Sequence, residues 1–212
     1  MNSNIEKAFR KSVIAVGKYS LKKAFTIVEV SILFVIFLIV AFLVAPLSLD
    51  DTLQVKYASR WKDVQSDFEN IYYSVYTQTD NDNFDFQEAF ETAINNSTKG
   101  NLEYYKIKYL NGSFPIGDYK FDDLKQTYSN AVVAYKFFDK PKNGLIGILM
   151  YDVNGQQQPN IWGKDIFGLN IYKDRLEPCG KEQSIEKQKK DCSRSGTGIC
   201  CSNYFLIGGK LH

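Results

Sequence analysis

Four Asp and Asn side chains lie close together between residues 152 and 165, in the run DVNGQQQPNIWGKD: Asp152, Asn154, Asn160 and Asp165. Carboxylate and amide oxygens are the ligands that Ca²⁺ prefers, but the spacing differs from that of an EF-hand and only two of the groups are charged. Asp and Asn side chains also bond their own backbone in turns, and Gly155 can take the positive φ of a tight turn. We therefore predict a turn held by side chains and assign no metal or other cofactor, with Ca²⁺ as the alternative.

The four cysteines, Cys179, Cys192, Cys200 and Cys201, all lie near the C-terminus. An even number of cysteines outside the cytoplasm favours disulfides. A bridge between the neighbours Cys200 and Cys201 would be strained, because bridged Cα atoms normally lie about 4.4–6.8 Å apart and neighbours about 3.8 Å. We predict that Cys179 and Cys192 each pair with one of these two, in either assignment. Zinc, for which no C-x-x-C spacing is present, and free thiols are the alternatives.

Composition argues against catalysis and against nucleic-acid binding. The single histidine is the last residue, His212, which argues against Ser-His-Asp and Cys-His catalysis. Six of the 26 basic side chains lie in the first 24 residues: Lys7, Arg10, Lys11, Lys18, Lys22 and Lys23. Residues 25–212 then carry 20 basic and 23 acidic side chains, so the electrostatic basis for binding nucleic acid is lost. We predict that the chain is not an enzyme.

Residues 25–49 form an apolar segment that directly follows this basic cluster. About 20 helical residues cross a hydrocarbon core of about 30 Å, and a soluble helix is rarely apolar all round for so long. Positively charged flanks stay in the cytoplasm. We therefore predict a single-pass membrane helix with a cytoplasmic N-terminus. A cleaved secretory signal fits less well, because the apolar core is long and Pro46 follows Ala45 where a cleavage site would fall.

Glu29 lies inside this apolar segment, where a carboxylate costs about 2.5–3.5 kcal/mol on insertion. The segment itself contains no Lys or Arg. Cleavage between Ala24 and Phe25 would create a new ammonium group on Phe25. Glu29 would then lie four residues away on the same helix face, or would meet the Phe25 amine of a neighbouring subunit in an assembly. Glu29 is therefore a candidate assembly residue.

The run KKAFTIVE at residues 22–29 resembles the class III prepilin signal of type IV pilins and type II secretion pseudopilins. That signal has a basic leader, a small residue that is usually glycine, and Phe-Thr-x-x-Glu opening a long apolar helix. The resemblance implies cleavage after Ala24 by a prepilin peptidase and N-methylation of Phe25. Thr26 matches the residue beside the new terminus, Glu29 matches the assembly carboxylate, and Pro46 matches a proline that kinks the helix in many pilins.

The resemblance also implies partners and a location. Partners would be copies of this chain or other pilin-like subunits, inner-membrane assembly machinery and membrane lipid. The chain would be stored in the bacterial inner membrane and then built into a filament or pseudopilus. A bridged C-terminal loop is familiar in pilins, and the run 152–165 looks like one found in the heads of some pilin-like proteins.

Beyond the apolar segment, helical spacing continues over residues 51–78, where the apolar stripe is Val55, Ala58, Trp61, Val64, Phe68, Ile71 and Val75. We predict an amphipathic helix capped by Asp50 or Asp51 and packed on the chain's own sheet, with a coiled-coil seam as the alternative. Further predicted elements are a loop over 77–83, helices over 84–95 and 121–129, strands over 102–110, 131–138, 145–153 and 169–173, and a hairpin loop over 139–144.

The predicted fold is α+β, with a long N-terminal helix packed on an antiparallel sheet, as in pilins. The predicted organisation is a cytoplasmic leader over 1–24, a transmembrane and assembly helix over 25–49, an extracytoplasmic head over 50–178 and a cysteine-rich loop over 179–212. The alternative is an unprocessed, signal-anchored extracytoplasmic binding domain in which Glu29 has no role.

Overall fold

The computed structural model of the chain describes residues 27–77 and 85–211, without the side chains of residues 42–51. The helices are α1 (Ile27–Tyr76), α2 (Phe86–Asn96), α3 (Ile185–Asp191) and α4 (Cys201–Leu206), with a 3₁₀ turn at Gly117–Tyr119. The strands are β1 (Thr98–Asn101), β2 (Leu124–Thr127), β3 (Val132–Lys142), β4 (Leu145–Asp152), β5 (Ile166–Tyr172) and β6 (Leu176–Pro178). The predicted α+β class is confirmed.

The chain divides after Asp50 into two units. The described part of the first unit is the N-terminal part of α1, where every apolar side chain from Ile27 to Val40 is exposed. Ser31, a polar residue in this run, donates its hydroxyl to the carbonyl of Ile27 at 2.8 Å, so the hydrogen bond of this hydroxyl is made within the helix. Among the residues that the structure describes, no helix is both long and apolar enough to cross a membrane.

Helix α1 continues through the positions where a start was predicted. Asp50 and Asp51 lie inside its 50 residues, so the prediction that one of them caps a new helix is wrong. Pro46 also lies within α1, among the residues whose side chains are not described. The predicted loop over 77–83 lies almost entirely outside the described residues.

In the second unit, α1 packs on the sheet along the predicted stripe. Trp61 stacks on Phe167 of β5 with ring centroids 5.2 Å apart, and Phe68 meets Tyr151 of β4 edge-on at 5.5 Å. The stripe differs from the prediction at its start, because Val55 is 68% exposed. The contact with the chain's own sheet was correctly predicted.

The six strands form one antiparallel meander in the order β1-β2-β3-β4-β5-β6. Alternate residues face opposite sides, so Leu149 opposite Leu169 belongs to the α1 face, and Met150 opposite Gly168 to the other. Both faces are buried, which explains why β4 and β5 read as nearly continuous apolar runs. Residues 102–123 cover the second face and contribute Ile107, Tyr109 and Phe121 to its core.

Two predicted elements are wrong. Residues 102–110 form no strand beyond an isolated bridge at Lys108, because they cross the second face of the sheet instead of pairing along it. Residues 121–129 contain strand β2, which pairs with β3, instead of a helix. The hairpin loop, predicted over 139–144, consists only of Asn143 and Gly144, because β3 extends to Lys142. Both residues have positive φ.

Candidate functional site

The residues predicted for cleavage and methylation, Ala24, Phe25 and Thr26, lie outside the described residues. Glu29 lies in the first turn of α1 as described, with its side chain exposed. Around it the helix carries apolar side chains on every side, and none of those from Ile27 to Val40 is buried within the chain. A contiguous exposed apolar surface of this kind marks contact with another protein or with lipid.

The run 152–165 forms a loop between β4 and β5 that is held by its two carboxylates. Asp152 accepts the backbone N–H groups of Asn154 at 2.8 Å and Gly155 at 2.9 Å on Oδ1. Asp165 accepts the N–H of Asn160 at 2.8 Å on Oδ2 and that of Ile161 at 2.6 Å on Oδ1. These are the side-chain-to-backbone bonds that the turn prediction requires.

Two further contacts fix this loop. The Tyr105 hydroxyl donates to Oδ2 of Asp152, so residues 102–123 also reach the loop. Gly155 has φ +73°, and a Cβ on it would lie only 1.9 Å from the carbonyl oxygen of Asn130. Gly155 is therefore required both by its backbone angle and by this close approach. The predicted turn is confirmed in its hydrogen bonds.

Both carboxylates are fully buried, and their electrostatics follow from that. Burial and the neighbouring charge of Asp165 raise the pKa of Asp152 to about 8, against the hydrogen bonds that it accepts. Burial also raises the pKa of Asp165, against its backbone hydrogen bonds. Nearby, the side-chain oxygens of Asn154 and Asn160 are buried without a hydrogen-bond partner. No group of three or more His, Cys, Asp or Glu side chains within the described part of the chain is arranged to hold a metal.

We expect the stability of the chain to fall as the pH rises from about 5 to 8. A raised carboxyl pKa means that the folded state binds more protons than the unfolded state in this window, so the folded state loses stability as protons leave. Asp152→Asn should flatten this dependence, since its amide oxygen still accepts both backbone N–H groups. Thermal unfolding of the full chain in detergent between pH 5 and 8, followed by near-UV circular dichroism, measures this effect.

Asp165→Asn is the matched variant. Both oxygens of Asp165 accept backbone N–H groups, so an amide nitrogen would face a buried donor and leave it unpaired. We expect a loss of about 1–3 kcal/mol at pH 5, where Asp152→Asn should lose less than half as much. Equal losses from the two variants would contradict this account of the loop.

The cysteine prediction is confirmed for one pair. Cys192 and Cys201 form a disulfide with Cα atoms 5.3 Å apart. Cys192 thus pairs with a member of the vicinal pair. Cys179, which is buried, and Cys200, which is partly exposed, are thiols, so the bridge predicted for Cys179 stays a prediction with Cys200 as its remaining partner.

The C-terminal segment is part of the core, which sequence reasoning missed. Residues 179–212 were predicted as a cysteine-rich loop, yet α3 forms there with Ser184 as its N-cap. After the disulfide, α4 places Tyr204 and Phe205 in the core beneath α1. The indole N–H of Trp61 donates to the carbonyl of Ser202 at 2.7 Å, so α1 is tied directly to α4.

Comparisons of the chain with family models, with curated proteins and with solved structures find no match.

Proposed function

We propose that this chain is a structural subunit of the pilin type, a pilin or pseudopilin that builds a type IV pilus-like filament or a type II secretion pseudopilus. The observation that carries the proposal is the 50-residue helix α1. Its first described residues expose apolar side chains all round, with Glu29 in the first turn, and its residues from Trp61 onward bury one stripe against the sheet. A membrane-stored polymer subunit needs both of these features in one helix.

The proposed pathway starts in the bacterial inner membrane, with the basic leader over 1–24 in the cytoplasm and the head outside. Prepilin peptidase cuts after Ala24, and the new amine on Phe25 is methylated. Residues 25–49 then leave lipid and pack against the same segments of neighbouring subunits, and the carboxylate of Glu29 pairs with a Phe25 amine. Thr26 and Pro46 take the places that these residues have in pilin signals.

The α+β head, in which α1 packs on an antiparallel sheet, also supports this proposal. An antiparallel sheet that packs one face on α1 gives the helix a rigid folded partner, so the helix is positioned by Trp61, Phe68 and Tyr72. The disulfide between Cys192 and Cys201 closes the C-terminal segment next to that contact. Disulfides persist outside the cytoplasm, which agrees with a head on the outer side of the membrane.

Determination of the mature N-terminus by mass spectrometry tests the proposal. We expect chains extracted from the membrane of a host with a prepilin peptidase to begin at Phe25 and to carry one extra methyl group, about 14 Da. Ala24→Leu should stay at precursor mass because it places a bulky residue at the cut, whereas Ala24→Gly should be cut normally. A mature wild-type chain that retains residues 1–24 would instead indicate a signal-anchored binding domain.

A further inference from the structure

The two thiols of the C-terminal region are brought together by the fold. Cys179 directly follows β6, and its carbonyl accepts the backbone N–H of Asn203 at 3.1 Å. A Cβ on the next residue, Gly180, would lie 2.7 Å from the Cβ of Cys200. The chain next to Cys179 therefore passes in close contact with Cys200, the residue that precedes α4.

The two thiols differ in their access to solvent. Cys200 is partly exposed and lines a surface cavity of about 270 Å³ together with Asn170, Glu182 and Ile199. Cys179 is fully buried, and its thiol donates to Oδ1 of Asn170 at 3.3 Å.

The sulfur of Cys179 is closely packed on the side that faces Gly168 and Trp162. A Cβ on Gly168 would lie 3.0 Å from the sulfur of Cys179 and 2.9 Å from the ring of Trp162. A reagent that enters from solvent therefore meets Cys200 first.

We propose that Cys179 and Cys200 form a second disulfide by thiol–disulfide exchange, in which Cys200 is the entry thiol and Cys179 the resolving thiol. The oxidant is a small-molecule or protein disulfide. The Cys200 thiolate attacks this disulfide, forms a mixed disulfide and releases one thiolate. The Cys179 thiolate then attacks the sulfur of Cys200 and releases the second. Two protein thiols are oxidised, one external disulfide is reduced, and two protons pass to solvent or to the released thiolates.

The surroundings of the entry thiol make this exchange slow at neutral pH. Burial and the carboxylate of Asp191 raise the pKa of Cys200 to about 12. Oδ2 of Asp191 accepts the backbone N–H of Cys200 at 2.9 Å, so this charge is held beside the sulfur. Burial and the neighbouring Cys200 raise the pKa of Cys179 as well, against a hydrogen bond with Tyr119. The rate is expected to rise about tenfold per pH unit between pH 7 and 9, because the thiolate fraction does.

The second bridge would add a covalent tie between the C-terminal segment and the sheet. The existing bridge joins the end of α3 to α4, and the new one would join the edge strand β6 to the residue before α4. Its formation does not depend on the proposed function, since the exchange needs only the folded head and an external disulfide.

Oxidised glutathione serves as the probe, with the full-length chain in detergent under conditions that keep the bridge between Cys192 and Cys201. The wild-type chain should lose two hydrogen atoms, retain no glutathione and yield a peptide pair linked through Cys179 and Cys200. Cys179→Ala should trap one glutathione on Cys200. Cys200→Ala should react at least about tenfold more slowly, because Cys179 is buried.

Some outcomes would overturn the proposal. These are glutathione stably retained on wild-type Cys200, a bridge from Cys179 to Cys192 or Cys201, or reaction of Cys200→Ala as fast as that of Cys179→Ala. If either variant loses its near-UV circular dichroism, the wild-type time course decides instead. The early mixed disulfide should then be found on Cys200 and not on Cys179.

Discussion

Glu29→Ala is expected to be cut after Ala24 as efficiently as the wild-type chain and to reduce assembled filament by roughly 100-fold. In the proposed polymer, the carboxylate of Glu29 compensates the ammonium group of a Phe25 terminus in an apolar environment. The substitution removes the charged carboxylate but leaves that ammonium without a partner, at a cost of about 2.5–3.5 kcal/mol for each subunit added. Cleavage should be unaffected, because in the proposed pathway the cut bond lies on the cytoplasmic side of the carboxylate.

The measurement separates processing from assembly. Mass spectrometry of membrane extracts reports cleavage and methylation, and the sheared or pelleted filament fraction reports assembly. Val30→Ala is the matched control, since Val30 is an exposed neighbour on the same helix and its substitution removes apolar surface without changing charge. Filaments from Glu29→Ala at wild-type yield would contradict the ion-pair account, while a change in cleavage alone would assign Glu29 to recognition by the peptidase.

Local periodicity predicted the buried face of α1. Trp61, Phe68 and Val75 recur at helical spacing, and this pattern depends only on which face of one helix is buried. The pairing of Cys192 with a member of the vicinal pair followed in the same way from bond geometry between neighbours. Such features need no knowledge of distant chain segments.

Alternation alone did not distinguish a strand from a covering segment. Ile107 and Tyr109 are buried and Tyr104 is 94% exposed, so side chains of residues 102–110 do alternate between the core and solvent. This alternation could not show that their partner is the face of a sheet instead of a neighbouring strand. Only the hydrogen bonds decide that, and here they go to separate segments: the N–H of Leu102 donates to the carbonyl of Leu124, that of Lys108 to Asn160 and that of Leu110 to Thr197.

Contacts between distant residues were not predictable from the sequence. The hydrogen bond from Tyr105 to Asp152 joins residues 47 positions apart, and that from Trp61 to Ser202 joins residues 141 apart. Strand β2 shows the same limit, since its residues LKQT carry no strong preference and are fixed by pairing with β3, for example Lys125 opposite Val133. Tertiary pairing overrides local propensity at such places.

Trp61→Ala is expected to destabilise the head by about 3–5 kcal/mol, which corresponds to a fall of roughly 10 °C in the melting temperature. Trp61 is fully buried and stacks on Phe167 with an angle of 18° between the rings. Its indole N–H donates to the carbonyl of Ser202 at 2.7 Å. One side chain thus joins α1, β5 and α4, and its removal leaves a cavity and takes one donor away from the carbonyl of Ser202.

Trp61→Phe separates these two contributions, because it keeps an aromatic ring against Phe167 and removes the N–H donor. We expect it to lose about 1–3 kcal/mol, while Val55→Ala on the exposed side of α1 should stay within about 0.5 kcal/mol of wild type. Trp162 is then the only tryptophan, so its emission reports unfolding of the head in both Trp61 variants. Hydrogen exchange should rise first in residues 199–206, since α4 loses its tie to α1. Equal losses from Trp61→Ala and Trp61→Phe would contradict the packing contribution, and unchanged exchange in α4 would contradict the tie through Ser202.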